Sequence, residues 1–127
     1  MNINELSGQI VDSAIKVHSM LGPGLLESAY SACLKHEFKK RGLNVQSEVV
    51  MPVIYDDIKI DLGYRLDFIV EDSIIIELKA VEKITPVHEA QLLSYLKLSG
   101  KHIGLLINFN VLRLKDGIKR MVNDLKE

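Results

Sequence analysis

Residues 74–81 (IIIELKAV) constrain the fold most, because they are apolar on both faces except for Glu77 and Lys79. A continuous aliphatic run of this length predicts a β-strand that is covered on both sides. Burying a lone carboxylate or ammonium group in such a strand is costly, so each charge needs a partner. Glu77 and Lys79 are two residues apart and share one face of the strand, which permits a structural ion pair between them.

A second carboxylate, Asp67, lies near the end of another apolar, strand-like run, ten residues before Glu77. An ion pair between Glu77 and Lys79 leaves Asp67 unexplained. Two carboxylates that are brought together repel each other unless a divalent cation is bound between them. The spacing therefore favours a metal site beside a catalytic lysine over a structural ion pair.

Apolar periodicity divides the chain into helices and strands. The predicted helices cover about residues 4–20, 25–41 and 85–98, and the predicted strands cover residues 45–53, 58–70, 73–81 and 102–109. Thr85 and Pro86 suit the start of the third helix. After these elements the pattern allows a short strand at residues 111–114, and either a terminal helix or an extended cover at residues 118–125.

This order of elements predicts an α/β fold class in a single domain, residues 1–127. The first three strands are predicted to form an antiparallel meander. Because the third helix links the third and fourth strands, that pair is predicted to be parallel through a right-handed crossover. The result is a mixed sheet, a three-strand meander plus a parallel crossover strand, flanked by helices.

The metal-site hypothesis makes a demand on strand register. For Asp67 and Glu77 to be direct cross-strand neighbours, the connection must be centred on Asp72 and hold an odd number of residues, or a bulge must correct the register. A two-residue turn at Glu71 and Asp72 would pair Asp67 with Ile76 instead. Glu77 would then lie on the opposite face, because a register slip of one residue flips every side chain.

Composition limits the compartment and the partners. No apolar run approaches the roughly 20 residues that span a bilayer, and the N-terminus lacks the features of a signal peptide. The single cysteine, Cys33, fits a reducing compartment and is predicted to be a small core residue. These features predict a cytoplasmic protein without a membrane partner. A net charge of −1 argues against strong, non-specific DNA binding but leaves room for an enzyme that meets nucleic acid locally.

The pattern of Asp67 followed on the next strand by Glu77, Leu78 and Lys79 resembles the signature of the PD-(D/E)XK nuclease superfamily. Residues 21–30 (LGPGLLESAY) look like the motif that names the GxxExxY family, a small-domain branch of that superfamily. Further similar segments are residues 64–68 (YRLDF) and 105–109 (LLINF), and the similarity covers roughly residues 8–122. The resemblance implies a restriction-endonuclease-like core. One departure is Leu66, which stands where the superfamily usually has a proline.

The resemblance implies a catalytic and metal-binding role for the strand residues. Asp67, Glu77 and the backbone carbonyl of Leu78 would hold Mg²⁺ or Mn²⁺, since hard cations prefer oxygen ligands. Lys79 would orient or help deprotonate the attacking water, or stabilise charge on the scissile phosphate. Glu27, on the second helix, would add a further ligand to the metal or its water. Alternatively, Glu27 merely favours the N-terminus of its helix.

Three further residues are predicted to bind substrate. Gln91 and Tyr95 have the spacing of a motif in exonuclease-like branches of the superfamily, where it lies beside the lysine. Tyr30 shares a helix face with Glu27. A polar outer face of the third helix, with Tyr95 at its margin, is the alternative. His88 is predicted to be either a rim residue or a helix-start residue, and His18 a core-edge histidine.

Together these features predict a metal-dependent nuclease that hydrolyses phosphodiester bonds in DNA or RNA. A non-catalytic module that keeps the nuclease fold and binds nucleic acid or protein is the alternative, because the charge balance predicts no broad basic surface. A third hypothesis is a structural cluster of Asp67, Glu77 and Lys79 in a protein-interaction domain. An oligomer is compatible with the sequence, which leaves DNA versus RNA and endo versus exo action open.

Overall fold

The helices lie where apolar spacing predicts them. The computed structural model describes residues 1–124, and its helices are α1 (Ile3–Leu21), α2 (Glu27–Lys40) and α3 (Pro86–Ser99). At the start of α3, Thr85 and His88 satisfy each other's backbone N–H groups in a capping box. At the end of α1, Gly22 has a φ of 71° and donates its N–H to the carbonyl of His18. None of the helices in this part of the chain is long and apolar enough to cross a membrane.

Within the described residues, seven strands form one large sheet and one small one. They are β1 (Val45–Val50), β2 (Val53–Tyr55), β3 (Ile58–Ile60), β4 (Arg65–Val70), β5 (Ile74–Lys79), β6 (Ile103–Asn108) and β7 (Ile118–Val122). The large sheet has the order β1-β4-β5-β6-β7, and β2 pairs with β3. Strands β1, β4 and β5 form the antiparallel meander, while β5 and β6 are parallel and joined by α3. The predicted α/β class with a mixed sheet is confirmed.

Two predicted strands are each broken in two. The prediction over residues 45–53 contains β1 and the start of β2, and that over residues 58–70 contains β3 and β4. Pairing of β1 with β4 ends just before Pro52, which has no N–H to donate. On the other strand Gly63 has a φ of 80°, outside the extended region. The chain therefore bends here and carries a separate β2–β3 hairpin.

The described chain beyond β6 forms a 3-10 turn and then a strand. Residues 111–114 do not form the predicted short strand but lead into a 3-10 helical turn, Leu114–Gly117. Any Cβ atom at Gly117 would collide with the carbonyl oxygen of Asn108, so this tight turn requires glycine. Of the two alternatives for residues 118–125, the extended one is observed as β7, and Leu125 lies outside the described residues.

Two apolar layers cover the sheet. Helices α1 and α2 pack on one face, in a core that includes Ile10, Leu34, Phe38, Phe68, Ile76 and Leu105. Helix α3 packs on the other face, in a core that includes Leu66, Ile69, Ile75, Leu92, Leu96 and Leu106. Full burial of each such side chain stabilises the fold by about 1.5–3 kcal/mol. Strand β5 contributes to both layers, as its two-faced apolar run predicts.

Helix α2 turns a narrower face to the core than the sequence suggests. Tyr30, Leu34 and Phe38, spaced by four residues, are fully buried. Cys33 lies off this stripe and is exposed, so the prediction of a core cysteine is wrong. Leu26 is 77% exposed because it precedes the first turn of the helix.

Candidate active site

Strands β4 and β5 have the register that the metal-site hypothesis demands. Phe68 pairs with Ile76, and the connection between the strands consists of three residues, 71–73. Extending this register by one residue places Asp67 opposite Glu77. The predicted odd-numbered connection centred on Asp72 is confirmed, and Asp67 and Glu77 directly follow the last paired residues of the two strands.

Phe68 and Ile76 are the last paired residues of the two strands. Next to them, the side-chain carboxylates of Asp67 and Glu77 accept hydrogen bonds from backbone N–H groups of the opposite strand. The N–H of Leu78 donates to Oδ2 of Asp67 at 2.7 Å. The N–H of Asp67 donates to Oε2 of Glu77 at 2.9 Å. Each carboxylate is thus anchored to the opposite strand, while Oδ1 of Asp67 and Oε1 of Glu77 take no part in these two bonds.

The sheet is distorted at this point. Leu66 and Phe68 are two residues apart but pack into opposite apolar layers, so the usual alternation is interrupted at Asp67. Across from Asp67, between the pairs formed by Ser47 and Val49, Glu48 has a φ of 53°. A non-glycine residue in such a conformation costs about 1–3 kcal/mol and persists where the surroundings hold it. The period-two pattern of the sequence does not indicate this distortion.

Glu27 approaches the site from the side of α2. It lines a cavity of about 480 Å³ together with Lys35, Glu48 and Asp67. Burial and then the charge of Asp67 raise the pKa of Glu27, while Lys79 opposes this shift. Glu27 therefore lies within electrostatic range of the strand carboxylates. Within residues 1–124, however, no three His, Cys, Asp or Glu side chains converge closely enough to hold a metal ion.

Glu77 is the buried acid of the site, with only 5% of its surface exposed. Burial and the charge of Asp67 raise its pKa to about 8, and Lys79 only partly offsets them. Without a cation, the site therefore favours the protonated form of Glu77 far more than solvent does. The donor set suits a hard divalent cation, because Mg²⁺ typically takes one or two carboxylates and fills its other positions with water and substrate phosphate.

Lys79 extends from the same strand face towards α3. Its Nζ donates to Oε1 of Gln91 at 3.4 Å, a long hydrogen bond. Among the ion pairs of the described residues, none joins Lys79 to Glu77, so the structural ion pair considered for them is not formed. The ammonium group is instead held beside the two carboxylates by a neutral amide.

Tyr95 lies one turn after Gln91 and is 7% exposed, rather than at a polar margin of the helix. Burial, followed by the charge of Glu77, raises the pKa of its phenol. The hydroxyl therefore stays protonated well above neutral pH and is able to donate a hydrogen bond. Gln91 and Tyr95 thus lie on the side of α3 that faces the strand carboxylates.

Tyr30 does not lie where a substrate contact would be made. Its side chain is fully buried, and its ring stacks on Phe109 with a centroid distance of 4.5 Å. Its hydroxyl donates to the carbonyl of Gly22 at 2.7 Å and accepts from the N–H of Leu25 at 3.1 Å. The predicted substrate-binding role is therefore corrected: Tyr30 fixes the loop that leads into α2 and so positions Glu27.

His88 and His18 make structural contacts. Nδ1 of His88 accepts from the N–H of Thr85 at 3.0 Å, which supports the helix-start interpretation. Nε2 of His18 lies 2.7 Å from the carbonyl oxygen of Val111, and the ring is 7% exposed, as expected of a core-edge histidine.

Asn108 is a buried residue whose role sequence analysis missed. It pairs with Lys79 in the parallel register of β5 and β6. Its Oδ1 accepts from the N–H of Val81 at 3.1 Å, and its Nδ2 donates to the carbonyl of Val81 at 2.9 Å. Both groups of the amide thus fasten the chain just after Lys79. The sequence does contain a signal for this role, because Asn108 is a single polar residue at the end of an apolar strand.

The sheet is mixed and flanked by helices, and it carries an acidic residue beside a Glu-x-Lys pair on adjacent strands. These features define a nuclease-like domain. A model of the PD-(D/E)XK nuclease superfamily matches residues 4–121, and the chain belongs to this superfamily. Neither a search of curated proteins nor a search of solved structures gives a significant match. Nucleases of this superfamily usually use divalent metal ions and act on nucleic acid.

Proposed function

We propose that this protein is a metal-dependent nuclease that hydrolyses phosphodiester bonds in DNA or RNA. The observation that carries the proposal is the cross-strand anchoring of Asp67 and Glu77, which holds two carboxylates together beside Lys79. Like-charged groups in such an arrangement are unfavourable without a cation or a proton between them. In the absence of a cation, a proton on Glu77 relieves this repulsion, and a bound cation would take the place of that proton.

In this proposal Asp67 and Glu77 hold Mg²⁺ or Mn²⁺ through their oxygens, with the carbonyl of Leu78 as a third protein ligand. Glu27 contacts the ion through a water molecule, because the described carboxylates do not form a ready set of three. A bound cation polarises a phosphoryl oxygen and lowers the pKa of a coordinated water. The chain contributes oriented carboxylates and a positive charge.

Lys79 places its ammonium group where it can neutralise negative charge that develops on the phosphate. Gln91 limits the motion of this group through the bond to its Nζ. The protonated hydroxyl of Tyr95 supplies a hydrogen-bond donor on the same side of the site. Gln91 and Tyr95 thereby position substrate, whereas Asp67, Glu77 and Lys79 carry the chemistry.

We also assign the chain to the GxxExxY branch. The glycine of the motif, Gly24, has a φ of 96°, which a side chain rarely adopts. The tyrosine, Tyr30, ties the loop together, and Glu27 between them opens α2. The motif thus has a physical purpose, which is to deliver a carboxylate from the helix layer to the strand carboxylates.

The test is cleavage of a panel of single- and double-stranded DNA and RNA with Mg²⁺, Mn²⁺ or a chelator. Activity should require the cation and should fall by orders of magnitude for Lys79→Ala or Asp67→Ala. Gln91→Ala should have a milder effect, chiefly on KM. Lys101→Ala is the matched control, because that lysine pairs with the exposed Asp72 in a surface ion pair.

A non-catalytic binding module is the second candidate. It is favoured by the absence, within the described residues, of three side chains poised to hold a metal ion. Nucleic-acid binding that is indifferent to Lys79→Ala, with no cleavage of any member of the panel, would support this candidate and contradict the nuclease.

A further inference from the structure

A groove lies between the β2–β3 hairpin and α3, and we call it the hairpin–α3 groove. Its volume is about 480 Å³, and its walls include Val53, Tyr64, Gln91, Ser94, Tyr95 and Leu98. Val53, Leu98 and the two tyrosine rings make these walls largely apolar. The amide of Gln91 and the hydroxyl of Ser94 add polar groups that are able to pair with a ligand.

The hairpin–α3 groove is continuous with the candidate active site. Gln91 lines the groove and also accepts the hydrogen bond from Lys79. Tyr95 lines it as well, and the charges of Glu77 and Asp67 act on its phenol. A ligand in the groove would therefore lie next to a phosphate held at Lys79.

Charge distinguishes this groove from the cavity on the other side of the site. The cavity that Glu27 lines beside α2 contains the acidic residues Glu27, Glu48 and Asp67 and the basic residue Lys35. Among residues 1–124, the hairpin–α3 groove is lined by Lys97 and by no acidic residue. The acidic cavity beside α2 repels a chain of phosphates, whereas the hairpin–α3 groove tolerates one. A bound nucleic-acid strand therefore leaves the site over α3.

The aromatic side chains indicate what the groove binds. The rings of Tyr64 and Tyr95 have centroids 6.4 Å apart and are inclined at 57°. Tyr64 is 44% exposed, so part of its ring is free to stack against a ligand. Flat, aromatic and hydrogen-bonding ligands match such walls, and stacking of a base on an aromatic side chain contributes about 1–3 kcal/mol.

We propose that the hairpin–α3 groove binds one unpaired nucleobase next to the scissile phosphate, which makes single-stranded nucleic acid, or a duplex end with an unpaired nucleotide, the substrate class. This inference rests on the proposed nuclease function. Bases inside a duplex are paired and stacked, and must be flipped out before they reach such a groove. An unpaired base enters without that cost.

The test measures binding without cleavage. Short DNA and RNA oligonucleotides that carry the fluorescent base 2-aminopurine are titrated with the protein in chelator, as single strands and as blunt duplexes. Single strands should bind with quenching of the fluorophore and at least about tenfold more tightly than duplexes, given an unstacking cost of a few kcal/mol. Tyr64→Ala should weaken binding about 5- to 100-fold, while Tyr64→Phe should bind like wild type.

Tyr55→Ala is the matched control, since Tyr55 lies on the same hairpin, is 73% exposed and does not line the groove. Ser94→Leu is a second variant that narrows the groove from an exposed helix position and should weaken binding even if Tyr64→Ala fails to fold. Wild-type affinity in both groove variants, or equal affinity for duplex and single strand, would overturn the inference.

The outcomes also separate this inference from the proposed function. Base binding that depends on Tyr64, with no cleavage in any cation, would support the base-binding groove and contradict the proposed nuclease activity. Cleavage that requires Lys79 but is unaffected by Tyr64→Ala would support the nuclease activity and contradict base binding in the groove.

Discussion

Glu77 is a buried carboxyl group that must lose a proton before it can bind a cation. Its neighbours explain why: the apolar β5 and the facing Asp67 both disfavour its charge, and Lys79 only partly offsets them. Sequence analysis identified the pair of carboxylates from their spacing. It misassigned Tyr30, because helical spacing indicates a shared face with Glu27 but not which way that face turns.

The titration of Glu77 predicts the pH dependence of the cation-free fold. A folded-state pKa of about 8, above the ordinary 4.5, contributes stability that is fully present below pH 4.5 and is lost as pH rises through 8. The free energy of unfolding should therefore fall, on the order of a few kcal/mol, across this interval. Urea denaturation in chelator at several pH values measures it. Glu77→Gln should flatten the dependence, and an equal slope in this variant would contradict the assignment.

At the scale of elements, the order of helices and strands was predictable and the breaks within strands were not. Alternating and continuous apolar patterns identify the sheet and the α3 crossover, and the strand-register requirement located the connection at Asp72. Pro52 lies inside a predicted strand, and its missing N–H ends the pairing there. The change of face at Asp67, opposite the strained Glu48, depends on tertiary contacts that no periodic pattern encodes.

The distance between α3 and the sheet depends on Gly104 of β6. A Cβ atom at this position would lie 2.8 Å from Cδ1 of the fully buried Leu92. Gly104→Ala must therefore displace the Leu92 side chain, and because Leu92 is tightly packed, we expect α3 and Gln91 to shift away from Lys79 with it. We expect a loss of about 1–3 kcal/mol in the free energy of unfolding, measured by urea denaturation, and a lower kcat/KM in the cleavage assay.

Gly8→Ala on α1 is the control for this substitution. Apart from the neighbouring backbone of α1, no described atom lies within 4 Å of a Cβ atom at Gly8, and alanine is favoured over glycine in a helix by about 1 kcal/mol. This variant should be as stable as wild type or more stable, with unchanged activity. If Gly104→Ala behaves in the same way, the close approach of α3 is not what positions Gln91.

At the scale of the whole molecule, the site lies where two helix layers and a distorted sheet meet. Glu27 comes from the α1–α2 side, Gln91 and Tyr95 from the α3 side, and the strand residues lie between them. The resemblance to the nuclease superfamily predicted that these residues share one site, and their catalytic roles stay a prediction. The sequence could not indicate that the cavity beside α2 is acidic and the hairpin–α3 groove basic. Glu48 and Lys97 are brought to these two cavities only by the fold.

A cation that binds only the folded protein should stabilise the whole molecule. Binding at tenfold excess over Kd contributes about 1.4 kcal/mol, or roughly 3–6 °C in Tm for a domain of this size. We expect this gain in Mn²⁺ relative to chelator, measured by thermal unfolding. It should be larger at pH 8.5 than at pH 6.5, because Glu77 must release its proton.

Asp67→Asn should remove this gain while leaving a folded protein, since its side chain retains an oxygen that can accept the hydrogen bond from Leu78. Asp12→Asn, at a carboxylate that is 74% exposed on α1, should keep the full gain. A metal-dependent gain of equal size in both variants would place the cation elsewhere on the chain. An identical Tm for wild type in Mn²⁺ and in chelator at both pH values would instead favour a structural cluster, in which the proton on Glu77 alone relieves the repulsion between the two carboxylates.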